Sequence, residues 1–417
     1  MKTSMIILTH NQFHHTVLCL ESIRKWTSEP YEIIVVDNGS TDGLTVMYLK
    51  LQPDVILICN DHNAGFAAGC NQGLEVATGE HILFLNNDTV VTPNWLTHLL
   101  AALHASPDIG MVGPLTNYSS GHQIIPVPYT DLLDLNAFAH EHGTRNQGKT
   151  TEVRRLIGFC LLAKRAVLEE VGGFDEIYDI GNFEDDDLCL RVARAGYRLV
   201  IANASFIHHV GHATMKELQQ DTPQNNVQYL MGINRNKAKE KWGEDIFDLI
   251  YKEDAKLTCC VLADTESALI KALDSIKDIA DEIIVVDISG ACEAISQSYA
   301  ASYVKEKPRK SRMKQWERAV QQAAGPYILL LEAGEYVSEQ ARRKIRALKR
   351  SISPDGAVAT MKFEQREEVP ATKQVRLFHR SFPLSYLDKP KSYKQEVLDT
   401  DIVIHYEFDS RKENAIH

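Results

Sequence analysis

Along the first part of the chain, short apolar runs stop abruptly on polar loops and alternate with segments of helical spacing. Met5-Ile6-Ile7-Leu8 runs into Thr9-His10-Asn11, after which Phe13, Val17, Leu20 and Ile23 fall close to one face of a helix. Ile33-Ile34-Val35-Val36 ends on Asp37-Asn38-Gly39-Ser40-Thr41-Asp42, and Val55-Ile56-Leu57-Ile58-Cys59 ends on Asn60-Asp61-His62-Asn63-Ala64-Gly65. A helix over 64–77 then leads to Ile82-Leu83-Phe84-Leu85, which stops on Asn86-Asn87-Asp88. A run that short and that apolar predicts a buried central strand with a polar tip. Together the pattern predicts four β-α units in an open, mainly parallel α/β sheet flanked by helices, its chemistry along the edge where the strands end.

Residues 116–152 carry little periodicity and predict a long surface excursion. Beyond it the pattern predicts a strand over 156–162, a helix over 165–171 stopped by Gly172-Gly173, a helix over 186–195 closed by Gly196, and strands over 198–201 and 206–209. A polar stretch, 216–228, and a helix through 242–250 complete a first domain, 1–252.

The pattern then restarts. Glu32-Ile33-Ile34-Val35-Val36-Asp37 recurs letter for letter as Glu282-Ile283-Ile284-Val285-Val286-Asp287. Leu20-Glu21-Ser22-Ile23 is echoed by Leu273-Asp274-Ser275-Ile276, and the run at Ile82 by Ile328-Leu329-Leu330-Leu331. Repeats of this length predict a duplicated, smaller α/β domain over 256–417. Its strand tips differ: Asp287-Ile288-Ser289-Gly290-Ala291-Cys292 replaces the Asp37 loop, and Glu332-Ala333-Gly334-Glu335 answers Asn86-Asn87-Asp88. Glu332 and Glu335 keep a capacity for a cation. A basic stretch, 305–318, and a segment with Arg342, Arg343, Lys344, Arg346, Lys349 and Arg350 are either solvated faces or a phosphate- or partner-binding surface.

Composition narrows the function classes. A net charge of -11 over 417 residues argues against a nucleic-acid partner. No stretch approaches the roughly 20 apolar residues of a membrane span, and the opening run is too short for a signal peptide's apolar core. Eight cysteines are scattered without a Cys-x-x-Cys pair, a reduced, cytoplasmic pattern. The expected location is therefore the cytoplasm, with room for peripheral attachment at the inner face of a membrane.

Two constellations carry candidate chemistry. Asp88 at a strand tip suits a hard divalent cation on a diphosphate, and equally well closes a turn and caps a helix with Asn87. Glu184-Asp185-Asp186-Asp187 opens a helix, where carboxylates are ordinary. Four in succession repel one another, which raises at least one pKa and favours a base or a metal shell.

Val35-Val36-Asp37-Asn38-Gly39-Ser40-Thr41-Asp42, Asn63-Ala64-Gly65-Phe66-Ala67-Ala68-Gly69-Cys70-Asn71 and Leu85-Asn86-Asn87-Asp88 resemble successive motifs of family 2 glycosyltransferases of GT-A fold, most nearly the bacterial rhamnosyltransferase-like branch. Gly172-Gly173-Phe174-Asp175-Glu176 and the segment from Gly181 to Arg191 resemble the acceptor-side motif, and His208-His209 before Gly211 the closing histidine. The resemblance covers about the first 215 residues and persists more weakly in the second domain.

The resemblance implies a metal-dependent inverting transferase. Thr9, Asn11 and Asp37 would contact the nucleoside, with Asn63, Asn71, Asn86 and Asn87 lining the site. Asp88 would ligate Mg²⁺ or Mn²⁺ with His208 or His209. Asp185 would be the general base, Glu184 its orienting neighbour and Asp187 the reserve. The donor would be a nucleoside-diphosphate sugar and the acceptor a glycan, a lipid-linked saccharide or a peptide. The second, degenerate domain would position the acceptor or build a homodimer. One departure is the single Asp88 after two amides, which leaves Arg154, Arg155 or Arg191 to share the diphosphate's charge. Rival readings are a sugar-nucleotide pyrophosphorylase, which wants a glycine-rich basic loop where Thr9-His10-Asn11-Gln12-Phe13 stands, and a non-catalytic scaffold for a partner glycosyltransferase.

Overall fold

The apolar runs at Met5, Ile33 and Ile82 become neighbouring strands because each is hydrophobic on both faces and must be covered twice, while the run at Val55 forms a partly exposed edge strand beside them. In the structure, a computed structural model that describes residues 1–211, 227–309, 312–352, 358–364, 372–387 and 397–406, the chain divides into two compact units, Met1–Lys252 and Glu253–His417. In the first unit β1 (Thr3–Thr9) pairs in parallel with β2 (Tyr31–Asp37) and β2 with β3 (Val55–Cys59). β1 also pairs in parallel with β4 (His81–Asn86). The crossovers are α1 (Phe13–Trp26), α2 (Thr45–Lys50) and α3 (Phe66–Val76). Next come β5 (Thr89–Val91), α4 (Trp95–Leu103), β6 (Ile109–Thr116), α5 (Leu135–Asn146), β7 (Thr150–Val153), β8 (Cys160–Lys164) and α6 (Arg165–Val171). The unit ends with α7 (Glu184–Arg194), β9 (Arg198–His209), α8 (Val227–Trp242) and α9 (Ile246–Tyr251).

The sheet order is β3-β2-β1-β4-β8-β6-β9-β5, with β7 on β9. β8 is antiparallel to β4 and β6, while β6 and β9 are parallel. β4 is therefore central. Leu83 and Leu85 pack with Met5, Ile7, Trp95 and Leu99 on one face, and Ile82 and Phe84 with Ile6, Leu188 and Val192 on the other. Each such side chain contributes on the order of 1.5–3 kcal/mol by leaving water. The polar tips of β1, β2, β3 and β4 come out together at one edge.

Several elements differ from the sequence expectation. The excursion over 116–152 contains α5 and β7. α5 is largely polar, so its short apolar strip of Leu135, Phe138 and Ala139 gives a faint period, and β7 exposes three of its four residues. Residues 156–159 precede β8 rather than belong to it, α7 begins two residues early, and 198–209 is one continuous strand interrupted by a bulge against β6. The last helix is two, α8 and α9. Of the polar stretch 216–228, residues 216–226 lie outside the described residues, as do 310 and 311 of the basic stretch. No helix of the described residues is long and apolar enough to cross a membrane.

The second unit holds β10 (Leu257–Ala263), α10 (Glu266–Ile276), β11 (Glu282–Asp287), α11 (Glu293–Ser298), β12 (Ser302–Lys305), α12 (Arg312–Gln322) and β13 (Tyr327–Leu331). β14 (Glu335–Val337), α13 (Glu339–Ser351), β15 (Val358–Glu364), β16 (Thr372–His379) and β17 (Val397–Tyr406) follow. Its sheet order, β12-β11-β10-β13-β16-β15-β17-β14, repeats the first strand for strand. The pair directions repeat too: β16 is antiparallel to β13 and β15, β17 is parallel to β15, and β14 is antiparallel to β17. Its tip carries a glutamate–arginine ion pair. Arg376, buried in β16, donates to Glu335 at 2.7 Å and lies 3.6 Å from Glu332, so these glutamates already have a cationic partner. The basic face of α13 is likewise met by acids: Arg342 by Asp278, Lys344 by Asp401, Lys349 by Asp281 and Arg350 by Asp254.

Candidate active site

At the edge where β1, β2 and β4 end, a cleft of about 380 Å³ opens in the first unit. Thr9, Asn38, Asn63, Asn86, Asn87 and Asp88 line one side of it, and Gly158, Asn182, Glu184, Asp185 and His209 the other. The strand-tip acid and the start of the acidic helix, about a hundred positions apart in the chain, therefore share one cavity.

Asp88 Oδ1 lies 3.2 Å from His209 Nε2, with both side chains largely buried. Burial pushes the Asp88 carboxyl up, but the hydrogen bond and charge of His209 and the charge of His15 outweigh it and hold the group below its ordinary value. His209 stacks on Phe159, ring centroids 5.1 Å apart, and its Nδ1 lies 2.9 Å from the Tyr118 carbonyl. A carbonyl only accepts, so the Nδ1 proton is committed there. Nε2, the ring's other nitrogen, then faces the Asp88 carboxylate. His208 faces the other way: its Nδ1 meets the Tyr129 hydroxyl at 2.8 Å and its ring lies beside Tyr129, outside the cleft.

α7 reaches the cleft through a contorted approach. Asp179, Gly181, Asn182 and Phe183 all have positive φ (49°, 145°, 77° and 79°), which costs of order 1–3 kcal/mol for each residue with a side chain. Asn234 of α8 holds this loop, its Nδ2 donating to the carbonyls of Tyr178 (2.7 Å) and Gly181 (2.9 Å). Gly65 supports it from below: a Cβ there would stand 2.0 Å from the Asp179 carbonyl oxygen.

The four acids that follow have four fates. Asp185 accepts from the Gly158 N–H through Oδ2 and from the Asp186 N–H through Oδ1, both at 2.9 Å, and lines the cleft. Glu184 is buried, and its Oε2 has no hydrogen-bond partner among the described residues. Burial, then the charge of Asp185, lifts its carboxyl well above the ordinary range. Asp186 is bound by Arg155. Asp187, fully buried, accepts from Tyr178, Arg191, Lys241 and Trp242 and does not reach the cleft.

Other candidate residues are likewise spent on holding loops. Asp37 accepts from Ser40 through both oxygens, at 2.5 and 3.1 Å, and Asn11 Oδ1 accepts from the N–H groups of Thr41 and Asp42. Neither lines the cleft; together they brace the β1 and β2 tips against each other. Asn71 is tied to Phe174 and Glu176. Asn87 lines the cleft while its Nδ2 donates to Thr9 and Thr16, and Asn63 accepts from Asn38 at 2.8 Å. Arg154, Arg155 and Arg191 do not line the cleft, and among the described residues no other arginine or lysine does.

Sequence reading missed His10, Asn38, Phe66, Tyr118, Ser119, Ser120, Phe159 and Asn182 as wall residues. The first two stand inside quoted motifs beside residues that were chosen. Tyr118, Ser119 and Ser120 sit at the start of the aperiodic excursion, where no pattern marked them.

Residues 4–172 match the family model described as glycosyl transferase family 2. This segment is a family 2 glycosyltransferase domain. Asp88 lies inside the matched span; Glu184, Asp185 and His209 follow it. The unit that contains it is built on the mixed sheet flanked by helices described above. The chain is 27% identical over 242 residues to N-acetylglucosaminyl-diphospho-decaprenol L-rhamnosyltransferase of Mycobacterium tuberculosis, covering 51% of this chain and 78% of that protein. It is 31% identical over 209 residues to O-antigen biosynthesis protein RfbC of Myxococcus xanthus, covering 46% of this chain but only 16% of that one. Among solved structures, GalNAc-T7 with UDP, GalNAc and Mn²⁺ superimposes with a TM-score of 0.42 at 16% identity, over 60% of this chain and 56% of that one.

Proposed function

We propose that the first unit is a metal-dependent, inverting glycosyltransferase that moves a sugar from a nucleoside-diphosphate sugar to an acceptor hydroxyl. The observation that carries this reading is the meeting of the Asp88–His209 pair with Asp185 in one cleft that has no lysine or arginine among its described walls. A diphosphate bound there has no cationic side chain to balance it.

The residues present fit a divalent cation. The Asp88 carboxylate and His209 Nε2 stand 3.2 Å apart on the cleft wall, and a cation that displaces the Nε2 proton would be shared between them. No three His, Cys, Asp or Glu gather into a closed metal cage among the described residues. Two protein ligands leave the remaining positions to water and phosphate oxygens, as Mg²⁺ and Mn²⁺ sites on nucleotides require. A cation held by Asp88 and His209 would supply Lewis-acid stabilisation of the departing diphosphate.

Asp185 is the base in this reading. Two backbone N–H groups fix its carboxylate while each oxygen keeps a lone pair for the acceptor's proton. Attack by a hydroxyl activated on the face opposite the leaving group inverts the anomeric carbon. Glu184, its carboxyl raised by burial and its Oε2 without a hydrogen-bond partner among the described residues, would offer an O–H to the sugar when protonated. Thr9, Asn38, Asn63, Asn86 and Asn87 supply the neutral polar wall for nucleoside and ribose. The name of the mycobacterial relative, most of whose length is matched, supports a lipid-linked saccharide as acceptor. The second unit, with its cation site filled by Arg376, is proposed as a non-catalytic copy that positions the acceptor or joins a second chain.

Asp185→Asn tests the assignment. Transfer is expected to fall by at least about 100-fold, while nucleotide binding followed by calorimetry is unchanged. Near-normal turnover would remove Asp185 from the role.

A further inference from the structure

Asn117 stands just past the end of β6, and both ends of its amide are spent on one residue. Its Nδ2 donates to the His209 carbonyl at 3.0 Å, and its Oδ1 accepts from the His209 N–H at 2.8 Å. The side chain thus imitates one more residue of strand pairing, continuing the β6–β9 ladder beyond its last backbone pair, Thr116 with Ile207. The adjacent carbonyl, that of Tyr118, takes the Nδ1 proton of the same histidine. Gly211 (φ +74°) closes the far side, where a Cβ would lie 2.2 Å from Tyr118 Cδ1, so only glycine lets the chain pass. Main chain, ring and tautomer of His209 are therefore all set by two consecutive residues of one loop.

We propose that Asn117 is a positioning residue. With the Tyr118 carbonyl it holds His209 so that Nε2 and the Asp88 carboxylate stand as a ready-made pair of ligands for a divalent cation. The proposal rests on the reading of Asp88 and His209 as that pair. A histidine that binds metal through one nitrogen is commonly oriented by a carbonyl at the other. Here the orienting carbonyl belongs to a loop that itself needs an anchor, and the Asn117 amide is the anchor. The same loop brings Ser119 and Ser120 into the cleft, so the ligand pair and part of the substrate wall share one tether.

The test is Mn²⁺ alone, titrated into the full chain and followed by its EPR signal. Asn117→Ala is expected to weaken binding roughly 10- to 100-fold, the usual cost of losing an outer-shell partner, and a constant within about twofold of the unaltered protein would overturn the proposal. Asp88→Asn, run in parallel, separates the two levels. If Mn²⁺ binding survives Asp88→Asn unchanged, the metal reading itself fails; if it is lost there but intact in Asn117→Ala, only the clamp fails. Should Asn117→Ala not fold, imidazole ¹⁵N spectra of the unaltered protein decide, with His209→Ala giving the assignment. A proton on Nδ1 of His209 is expected, and an Nδ1 without one would refute the clamp.

Discussion

His208 and His209 are adjacent, yet only His209 faces the cleft, and the difference arises several residues upstream. Neighbours on a strand point to opposite faces. On β9, Leu199 and Ile201 pack in the core on one side of the sheet, and Val200 and Ala202 in the core on the other. The pairing then jumps from Pro114–Ala202 to Leu115–Phe206, leaving Asn203, Ala204 and Ser205 as extra residues on β9. An odd insertion flips the alternation, so Phe206 and His208 join the first face, and Ile207 and His209 the second. The two imidazoles were legible in the sequence; the bulge that chooses between them was not. Substitution should separate them: His209→Ala is expected to lower metal-dependent turnover at least about tenfold. His208→Ala is expected to leave turnover intact and cost about 1–2 kcal/mol in thermal unfolding through the lost Tyr129 hydrogen bond. Equal turnover in both variants would contradict the assignment. The same limit explains Asp37, Asn71 and Asp187. Each stands in a recognisable motif, but whether a carboxylate or amide turns to a ligand or to a neighbouring loop depends on backbone geometry that the motif does not carry.

At the scale of elements, the strands made of continuous apolar runs were legible, the half-exposed edge strand β3 among them, and those with few apolar residues were not. β1 to β4 are apolar runs ending on polar residues, so position and direction follow from the pattern. α5 packs against β9 and β7 pairs with it, both with few apolar residues of their own, and tertiary packing decides their form. α7 lies between these cases: its acids announced it, but its first turn is buried at the end of a strained loop rather than solvated as a helix start usually is. The burial has a thermodynamic consequence through Glu184. Its folded pKa is raised above an unfolded value of about 4.3. A group raised in this way stabilises the fold fully below its unfolded pKa, and that contribution is lost as pH rises through the folded value. Glu184→Gln removes the titration. Its thermal midpoint should match the unaltered protein near pH 4 and exceed it increasingly toward pH 8. A difference that shrinks as pH rises would contradict the buried, protonated state.

In the molecule as a whole, two sheets of the same strand order and directions end in different chemistry. The repeat was legible from Glu282-Ile283-Ile284-Val285-Val286-Asp287 alone, whereas the use of Arg376 was not, since it enters from β16, distant in sequence. In the second unit the position answering Asp88 is Gly334, Glu335 is neutralised by Arg376, and Asp287 is satisfied by Ser289, Gly290, Cys292 and Tyr303. Nucleotide binding by calorimetry should accordingly give one site per chain, abolished by Asp88→Asn; two sites would show that the second unit also takes a donor. The most direct measurement is donor turnover with and without metal. A thermal-shift panel of UDP-, GDP-, CDP- and dTDP-sugars with Mn²⁺ identifies the donor. Its hydrolysis or transfer is then followed after EDTA and after adding back Mn²⁺ or Mg²⁺, in the unaltered protein and in Asp88→Asn. The expected result is activity lost in EDTA, restored by the cation, and absent from Asp88→Asn under both conditions. Full activity in EDTA, or in Asp88→Asn, would contradict it.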